Sequence, residues 1–424
     1  MQRGGENDRC KQSRARGRGA TRARLAVAVL TTTVATVLLW PHGGSATPAA
    51  PGGVGLRLAS TPWPAFMLSP GHFGAAPARG PQSASVRWRV KLEGDVTPGP
   101  VVGARGVAYV ATNAGELHAI EVASGVQLWT FSGGGKYGSD LSTSPAILDD
   151  GTVLWPGPRH SLFAVDPAGR ELWRLQLRDD LLSPLVDGRR GRLYLSDQSG
   201  LVRAYALQAA DPDTGEPPEP RLLWHLELHS QTLGSPALAP DGTIYETAGN
   251  NVLAITPSGR IRWRFAAGGL IEVSPAVAQD GTVVVGSNDS MEYGITPRGR
   301  ARWTYAINEY TYSSPQTLPG GRVAFGDHLG RVNLLDARTG RVIRRFQGRG
   351  QVWTSALLDG AGDLYFATRH GDVYGFSDSG RRLFDYRLPT TFDSYPALAA
   401  DGTLIIGDDS GELLALAGSR RPAA

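Results

Sequence analysis

The chain has 424 residues and a formal net charge of +4. Glycine supplies 55 residues, about 13% against a usual ~7%, and only 19% of the residues are charged against a usual ~25%. This composition excludes a coiled coil, an ordinary helical protein and an acidic disordered chain.

The positive charge is concentrated at the N-terminus, where residues 1–24 hold eight Lys and Arg residues against Glu6 and Asp8. This segment carries +6, which leaves −2 for the other 400 residues. A body without excess positive charge has no means of neutralising many phosphates. We therefore expect no nucleic-acid partner.

The first predicted element is an export signal. Leu25–Trp40 is an uncharged, mostly apolar run of sixteen residues, followed by the small residues Gly44 and Ala46. This order is typical of a secretory signal, so we interpret residues 1–46 as a signal peptide cleaved after Ala46. The alternative is a retained membrane anchor, although sixteen residues fall short of the ~20 that span a bilayer. Both interpretations place the body outside the cytoplasm, in a periplasm, on a cell surface or secreted.

Residues 47–84 are rich in Pro, Gly, Ala and Ser and lack strand periodicity, which predicts a linker and strap. Its segment Pro62–Phe66, PWPAF, is too aromatic for a solvated spacer. We expect Trp63 and Phe66 to pack on the body, because aromatic rings bury large apolar areas.

The remaining sequence repeats with a period near 40 residues. Each unit has a Ser-Pro start, an apolar run, an Asp-Gly turn, a β-branched run, a polar turn, a second apolar run, a Gly turn and an aromatic run. The turns are hairpin signals, so each unit predicts four strands. Phe346 and Phe384 continue a series of structural tryptophans that dock one unit on the next, namely Trp88, Trp129, Trp173, Trp224, Trp263 and Trp303.

Eight apolar runs of the third-strand type occur, but the last has no aromatic run after it, while Val86–Lys91 precedes the first unit. Pairing Val86–Lys91 with Leu413–Leu416 leaves no free edge. We therefore predict an all-β fold, a single monomeric eight-bladed propeller over residues 85–418, with a tail at 419–424. The insertion Gln208–Pro220 is interpreted as a solvated loop.

These repeats resemble a known family. Runs such as LHAIEVASGVQLW (residues 117–129) and VLAITPSGRIRW (252–263) are similar to the tryptophan-docking repeats of the pyrroloquinoline-quinone (PQQ) type propellers. The strap resembles the lead-in of exported members. The resemblance implies the propeller fold. One branch, the quinoprotein dehydrogenases, holds PQQ and calcium over the ring centre. Another, the propeller lipoprotein of the outer-membrane β-barrel assembly machinery, has no cofactor and binds partners.

The sequence departs from the dehydrogenase branch, which typically covers its quinone with a disulfide between adjacent cysteines. Cys10, in the leader, is the single cysteine, and minimal blades leave no substrate-covering insertions. We expect a non-catalytic scaffold without cofactor or metal that binds a protein partner or small ligand on one ring face. A PQQ-dependent alcohol or sugar dehydrogenase, with calcium, remains an alternative, as does a carbohydrate-binding or carbohydrate-cleaving propeller.

The histidines have a structural interpretation first. His118 falls within a strand, while His160, His328 and His370 fall in the polar turn between second and third strands, where other blades carry Asn, Gln or Asp. The Ser-Pro pairs recur once per unit and are interpreted as starts of inner strands.

The candidate binding face varies from blade to blade. Loops from a fourth strand to the next first strand share one ring face with the turns between second and third strands. Aromatic and Arg residues are favoured at interfaces, and mutual packing around the channel mouth is the alternative. The candidate residues are Arg349, Trp353, Phe392, Asp393, Tyr395, Tyr310, Tyr312, His328 and His370.

Overall fold

The computed structural model describes residues 56–137, 143–208, 218–307 and 309–417. The proposed leader, Cys10, most of the Gln208–Pro220 insertion and the tail lie outside the described residues. The chain forms 32 strands in these ranges, grouped in eight four-stranded antiparallel sheets. The predicted eight-bladed β-propeller is confirmed. No helix in the described ranges has the length and apolar character needed to cross a membrane.

The strands of the first half follow the predicted repeat. The first strand, ahead of any complete blade, is β1 (Ser85–Lys91). Blade 1 has β2 (Val101–Val102), β3 (Val107–Thr112), β4 (Glu116–Glu121) and β5 (Gln127–Ser132). Blade 2 has β6 (Ala146–Ile147), β7 (Val153–Gly157), β8 (Ser161–Val165) and β9 (Glu171–Gln176). Blade 3 has β10 (Leu185–Asp187), β11 (Arg192–Ser196), β12 (Leu201–Ala206) and β13 (Arg221–Glu227). Blade 4 has β14 (Ala237–Leu238), β15 (Ile244–Ala248), β16 (Asn251–Ile255) and β17 (Ile261–Ala266).

The second half continues in the same order. Blade 5 has β18 (Ala276–Val277), β19 (Val283–Ser287), β20 (Met291–Ile295) and β21 (Ala301–Ala306). Blade 6 has β22 (Gln316–Leu318), β23 (Arg322–Gly326), β24 (Arg331–Asp336) and β25 (Val342–Gln347). Blade 7 has β26 (Leu357–Leu358), β27 (Leu364–Ala367), β28 (Asp372–Phe376) and β29 (Arg382–Arg387). Blade 8 has β30 (Ala397–Leu398), β31 (Leu404–Gly407) and β32 (Glu412–Ala417), with β1 as its outer strand.

The N-terminal strand closes the ring as predicted. β1 pairs antiparallel with β32, with Val90 opposite Leu413 and Val86 opposite Leu416. Blade 8 is therefore built from both ends of the propeller region. Closure removes the open edge that the last blade would otherwise present to other chains.

In the described ranges, five of the eight blades are fixed to the next by the tryptophan of the outer strand, which packs over a turn glycine and donates to a backbone carbonyl. Trp263 of blade 4 lies over Gly299 of blade 5, where an added Cβ would come within 2.6 Å of the ring. Its Nε1 donates to the Pro297 carbonyl at 2.9 Å. The same two contacts join Trp88 to Gly125 and Val122, Trp129 to Gly169 and Pro167, Trp224 to Gly259 and Pro257, and Trp303 to Gly340 and Ala337. The ring needs a residue without a side chain beneath it, and the turn needs positive φ, so glycine satisfies both.

Blade 6 departs from this series. The docking residue stands opposite a small third-strand residue, as Trp303 stands opposite Gly294. In blade 6 that register position belongs to Arg344, opposite Leu334. The prediction that Phe346 continues the series was wrong, because Phe346 lies two residues later and packs on Phe376, with ring centroids 5.5 Å apart. Arg344 instead donates to the Ser379 carbonyl at 2.6 Å, beside the turn glycine of blade 7.

The strap crosses the ring at one end of the channel, called here the lower face. Trp63 and Phe66 are 4% and 7% exposed, so both pack on the body as expected. Backbone hydrogen bonds join the strap to inner strands of six blades, through the pairs Trp63–Val102, Ala59–Ile147, Pro70–Leu238, Gly71–Val277, His72–Thr317 and Ala76–Leu358. The strap thus ties distant blades together.

Two buried glutamates interrupt the apolar packing between blades. Glu292 holds the β20 position two residues before Gly294, and the other seven blades carry Val or Leu there, all fully or almost fully buried. Both Glu292 carboxylate oxygens lack a hydrogen-bond partner among the described residues, and burial raises the pKa of Glu292 well above its ordinary value. Burial also raises the pKa of Glu246, to about 8, although the Ser196 hydroxyl donates to its carboxylate. Glu246 is thus protonated at neutral pH, and burial favours the protonated form of Glu292 in the same direction.

We expect Gly299→Ala to destabilise the protein more than Gly106→Ala does. Both glycines have positive φ, +75° and +68°, so both variants lose about 1–2 kcal/mol to backbone strain. A Cβ at Gly106 meets nothing within 4 Å, whereas one at Gly299 strikes Trp263. Overpacking adds about 1–3 kcal/mol to the cost at Gly299. Denaturant unfolding of both variants measures the difference, and equal losses would show that docking on glycine contributes little.

We expect Glu292→Leu to stabilise the protein, by about 1–3 kcal/mol, because it removes a buried polar group without a partner. The gain depends on pH. The native pKa lies above the unfolded value of about 4.5, so the native state holds a proton that the unfolded state loses, and wild-type stability falls as pH rises above that value. Unfolding free energies measured across this range should show a shallower fall for the variant. Glu292→Gln, neutral but still polar, is the control, and it should flatten the pH dependence without the full gain. An unchanged slope in both variants would contradict this assignment.

Candidate functional site

The loops between blades and the turns between second and third strands meet at one end of the channel, called here the upper face. In each of several blades a turn N–H donates to a loop carbonyl, at 2.9–3.1 Å, as in Asn113 to Asp95, Gln198 to Asp180, Arg369 to Gln351 and Asp409 to Thr391. These bonds hold the loops on the rigid ring. The predicted sharing of one face by the two kinds of segment is confirmed.

A cavity of about 670 Å³ opens at the centre of the upper face, lined by residues from all eight blades. Phe66 of the strap lines it, and its ring packs edge-on against Tyr395 and His72, with centroids 5.0 and 5.1 Å away. His72 is buried, with Nδ1 2.7 Å from the Pro275 carbonyl oxygen. Burial lowers the pKa of His72 to about 4, so the side chain is neutral at neutral pH. The strap therefore contributes an uncharged floor.

The wall beneath the cavity mouth is a chain of serine hydroxyls. The Ser-Pro serine of one blade donates its N–H to the hydroxyl of the next, at 2.8–3.1 Å, from Ser144 to Ser183, Ser183 to Ser235, Ser235 to Ser274 and Ser274 to Ser314. Sequence reasoning found these serines as strand starts but missed their role in joining blades. Their recurrence at one register was the available signal.

Tyr395 occupies the serine register in blade 8, where it precedes Pro396. In blade 1 the corresponding residue is Gly99, and an added Cβ there would lie 3.0 Å from the Tyr395 Cβ. Gly99 therefore makes room for a tyrosine where other blades carry a serine. Tyr395 is a channel residue that lines the cavity.

Four candidate residues form an aromatic cluster at the cavity rim: Tyr310, Tyr312, His328 and Trp353. Ring centroids are 4.5 Å apart for Tyr312 and Trp353, and 4.6 Å for Tyr310 and His328. The imidazole of His328 stacks on Trp353 at 6.1 Å, and its Nδ1 lies 3.1 Å from a Glu309 carboxylate oxygen. Tyr310 is 43% exposed, so the cluster runs from the cavity wall to the surface.

Arg369 joins the aromatic cluster to the acidic side of the cavity. Its guanidinium carbon lies 3.8 Å from the centroid of Trp353, a cation–π contact. Its Nε lies 3.6 Å from Asp393 Oδ1. Burial and the neighbouring Asp409 raise the pKa of Asp393 to about 6, and burial also raises the pKa of Asp409. Charge around Arg369 is therefore predominantly negative.

The structure does not bring all the candidate residues together. Phe392 is fully buried in the hydrophobic core of blade 8, so its inclusion in a binding surface was wrong. A large apolar side chain in a short loop gains more by packing under the loop than by facing water. Arg349 is exposed and His370 lies against the neighbouring Gly350, and neither lines the cavity. The cation that reaches Trp353 is Arg369.

Other predicted histidines have partners in the fold. His118 is buried, with Nδ1 3.1 Å from the Thr130 hydroxyl. His160 Nδ1 lies 2.8 Å from Asp180 Oδ1. Ligand atoms of His160, Asp179 and Asp180 lie within 4.8 Å of one another, the one such group found in the described ranges. His160 and its two neighbours stand at the surface of blade 2 and do not line the cavity.

The cavity residues do not fit PQQ. The quinone carries three carboxylates, whereas the cavity lining holds Asp95, Glu272, Asp393 and Asp409 against Arg369 as the single Lys or Arg. An anion placed there would face several like charges. Trp353, the aromatic ring on which a flat group could stack, is already covered by Arg369 and packed by His328 and Tyr312.

Comparisons with known proteins connect this geometry to named relatives. The family described as "Outer membrane protein assembly factor BamB" matches residues 73–141, 123–217 and 205–345. The chain is 25% identical over 319 residues to outer membrane protein assembly factor BamB of Burkholderia pseudomallei, covering 63% of this chain and 81% of that protein. It is 29% identical over 206 residues to serine/threonine-protein kinase AfsK of Streptomyces griseus, but that match covers 44% of this chain and only 23% of AfsK.

The crystal structure of BamB from Moraxella catarrhalis shares the fold. Its TM-score is 0.61 at 14% sequence identity, and the match covers 78% of this chain and 99% of that one. At this identity the likeness concerns the fold alone.

Proposed function

Because this chain belongs to the family described as outer membrane protein assembly factor BamB, we propose that it is a non-catalytic scaffold that binds a protein partner on its upper face. The relative from Burkholderia pseudomallei is named for a role in assembly. A rigid ring that presents many loops on one side suits such a role, since binding residues usually lie on loops held by a scaffold.

The observation that carries this proposal is the aromatic cluster at the cavity rim. Tyr310 is 43% exposed and Leu329, beside His328, is 49% exposed. Both lie on the upper face, next to a cavity that the strap floors from below. Half-exposed aromatic rings around a concave centre are the anchors that protein interfaces favour.

We also propose that the protein acts outside the cytoplasm as a monomeric ring. Support for export comes from the basic and apolar segments of residues 1–46 and from the outer-membrane role named for the relative. The near-neutral body gives no reason to add a nucleic-acid partner.

The scaffold needs no quinone in this proposal. Mixing the mature protein with PQQ and calcium, and assaying dye reduction with alcohols and sugars, should give background rates. The physical reason is the excess of carboxylates over cations in the cavity. Dye reduction that saturates with one quinone per protein would replace the scaffold with the dehydrogenase alternative.

The scaffold proposal predicts that the aromatic cluster is needed for partner binding. The protein would be crosslinked in its own host and its specific crosslinked species compared between wild type and Tyr310→Ala/Trp353→Ala. The double variant should lose that species at least tenfold, because interface aromatics commonly contribute 2 kcal/mol or more each.

The matched control is Val126→Ala/Leu128→Ala, which removes exposed apolar side chains, 56% and 50% exposed, at the start of the outer strand of blade 1. The control should keep the crosslinked species, and unchanged thermal unfolding should show that both variants fold. A species lost equally from both variants, or from neither, would contradict binding through the upper face.

A further inference from the structure

The central cavity has an unbalanced charge on one side. The carboxylates of Asp95, Asp393 and Asp409 come from blade 8 and its junctions with blades 7 and 1, and Arg369 is the one Lys or Arg in the cavity lining. Asp95 is partly compensated, because its carboxylate accepts from Asn113 Nδ2 at 2.7 Å. Asp409 raises the cost of ionising Asp393, and Asp95 raises that of Asp409, since like charges at close range repel.

Polar atoms at this side of the cavity are left without hydrogen bonds. Among the described residues, Asp393 Oδ1 and Asp409 Oδ1 are buried atoms with no hydrogen-bond partner. Arg369 reaches Asp393 Oδ1 only at 3.6 Å, beyond hydrogen-bonding distance. Thr143, 1% exposed, also lines the cavity with an unpartnered Oγ1. Buried acceptors in this state leave a favourable interaction unmade.

Arg369 shows which chemistry the site accepts. A guanidinium already lies over Trp353 and beside Asp393, so the aromatic face and the carboxylate together accommodate a planar cation. Arg369 also favours the charged form of Asp409, but it is one cation beside two carboxylates, and Asp409 Oδ2 already accepts from the Thr391 hydroxyl. Two carboxylates therefore share one cation, and a second cation beside Arg369 would balance their charge.

The spacing of the acids favours an organic cation over a bare metal ion. In the part of the chain that the structure describes, three ligand atoms come within 4.8 Å of one another only at His160, Asp179 and Asp180. The cavity carboxylates are spread more widely than that. A side chain with several N–H donors can bridge such a distance, whereas a metal ion requires ligands that converge on one point.

We propose that the cavity receives one basic side chain, Arg or Lys, from the protein partner, held by Asp393 and Asp409 beside the Trp353–Arg369 stack. This inference rests on the proposed scaffold function and specifies what the upper face recognises. The partner's cation donates hydrogen bonds to Asp393 Oδ1 and Asp409 Oδ1, the two cavity carboxylate oxygens that lack a hydrogen-bond partner among the described residues. Apolar residues flanking that cation lie over Tyr310 and Leu329, which are exposed at the rim.

The direct test uses acetyl-Gly-Arg-Gly-amide as the probe and the same peptide with citrulline as the matched neutral control. Binding is followed by the NMR signal of the Trp353 indole N–H, assigned with Trp353→Phe. The arginine peptide should shift this signal in a saturable way, at least tenfold more tightly than the citrulline peptide, because only arginine carries the charge. Equal binding of the two peptides would overturn the proposal.

Variants locate the site. Asp393→Asn/Asp409→Asn keeps the side-chain shapes, removes both charges and should weaken binding of the arginine peptide at least tenfold. Arg369→Gln should bind it as tightly as wild type or more so, because the resident cation no longer competes for Trp353. Asp150→Asn, an acid in an exposed first-to-second-strand turn of blade 2, should leave binding unchanged. Unchanged binding in Asp393→Asn/Asp409→Asn would overturn the proposal.

Solution conditions give an independent readout. The pKa of Asp393 is about 6, so the carboxylate gains a proton below that pH and the affinity for the arginine peptide should fall as pH drops through about 6. Raising the salt concentration from about 0.01 to 0.1 M should also weaken binding, since the screening length falls from about 30 to 10 Å. An affinity that stays the same when the pH falls and when the salt concentration rises would contradict binding by these carboxylates.

The two proposals fail in different ways. Suppose that Tyr310→Ala/Trp353→Ala loses the crosslinked partner but wild type binds the arginine and citrulline peptides equally. The upper face then binds a partner, and the proposal that the cavity receives a basic side chain is wrong. If wild type distinguishes the peptides but every variant keeps the crosslinked partner, the cavity binds cations and the scaffold proposal is the error.

Discussion

The structure depends on one repeated interaction, the docking of an outer-strand aromatic ring over a glycine turn of the next blade. The ring buries a large area against backbone, and its indole N–H satisfies a carbonyl that the turn would otherwise leave exposed. Trp88 has a special place in this series. It lies on β1, which belongs to blade 8, and it docks on Gly125 of blade 1. The joint between the ends of the ring is therefore secured twice, by the β1–β32 ladder and by the same docking that joins consecutive blades.

The tryptophan docking joins blades at their outer strands, and a second set of contacts joins blades at the central channel. From blade 2 to blade 6 the serine hydroxyls accept amide N–H groups of the preceding blade, so these blades are joined along the channel as well as at their outer strands. The strap then connects inner strands that these local contacts cannot join, since it pairs with blades on opposite sides. With the lower face occupied by the strap, variation in the loops is free to act at the upper face. Under the proposed function, stability and recognition are thereby separated in space, as is usual for loops on a rigid scaffold.

The fold can be predicted from the sequence because the same pattern of strands and turns recurs in eight units. Turn glycines, Ser-Pro pairs and tryptophans recur at matching positions, so an error in one unit is corrected by the others. The wrong assignment of Phe346 shows the limit. Phe346 lies on the same strand as Arg344, two residues after the docking position, so counting aromatics alone cannot tell these two positions apart. The loop sequences differ from blade to blade and follow no repeat. Neither the burial of Phe392 nor the stacking of Arg369 on Trp353 could therefore be predicted from the repeat period or the composition.

In the described part of the chain, the carboxyl groups of Glu292 and Asp393 lack a hydrogen-bond partner on at least one oxygen, and they differ in their access to solvent. Glu292 is fully buried, so no ligand reaches it and a bound proton is its means of becoming neutral. Asp393 faces a cavity open to the upper face, with a cation already at 3.6 Å. A charged group from outside can complete its interactions there, at lower cost than burying an isolated charge. The enclosed carboxyl therefore bears on stability alone, whereas the accessible one is available for recognition.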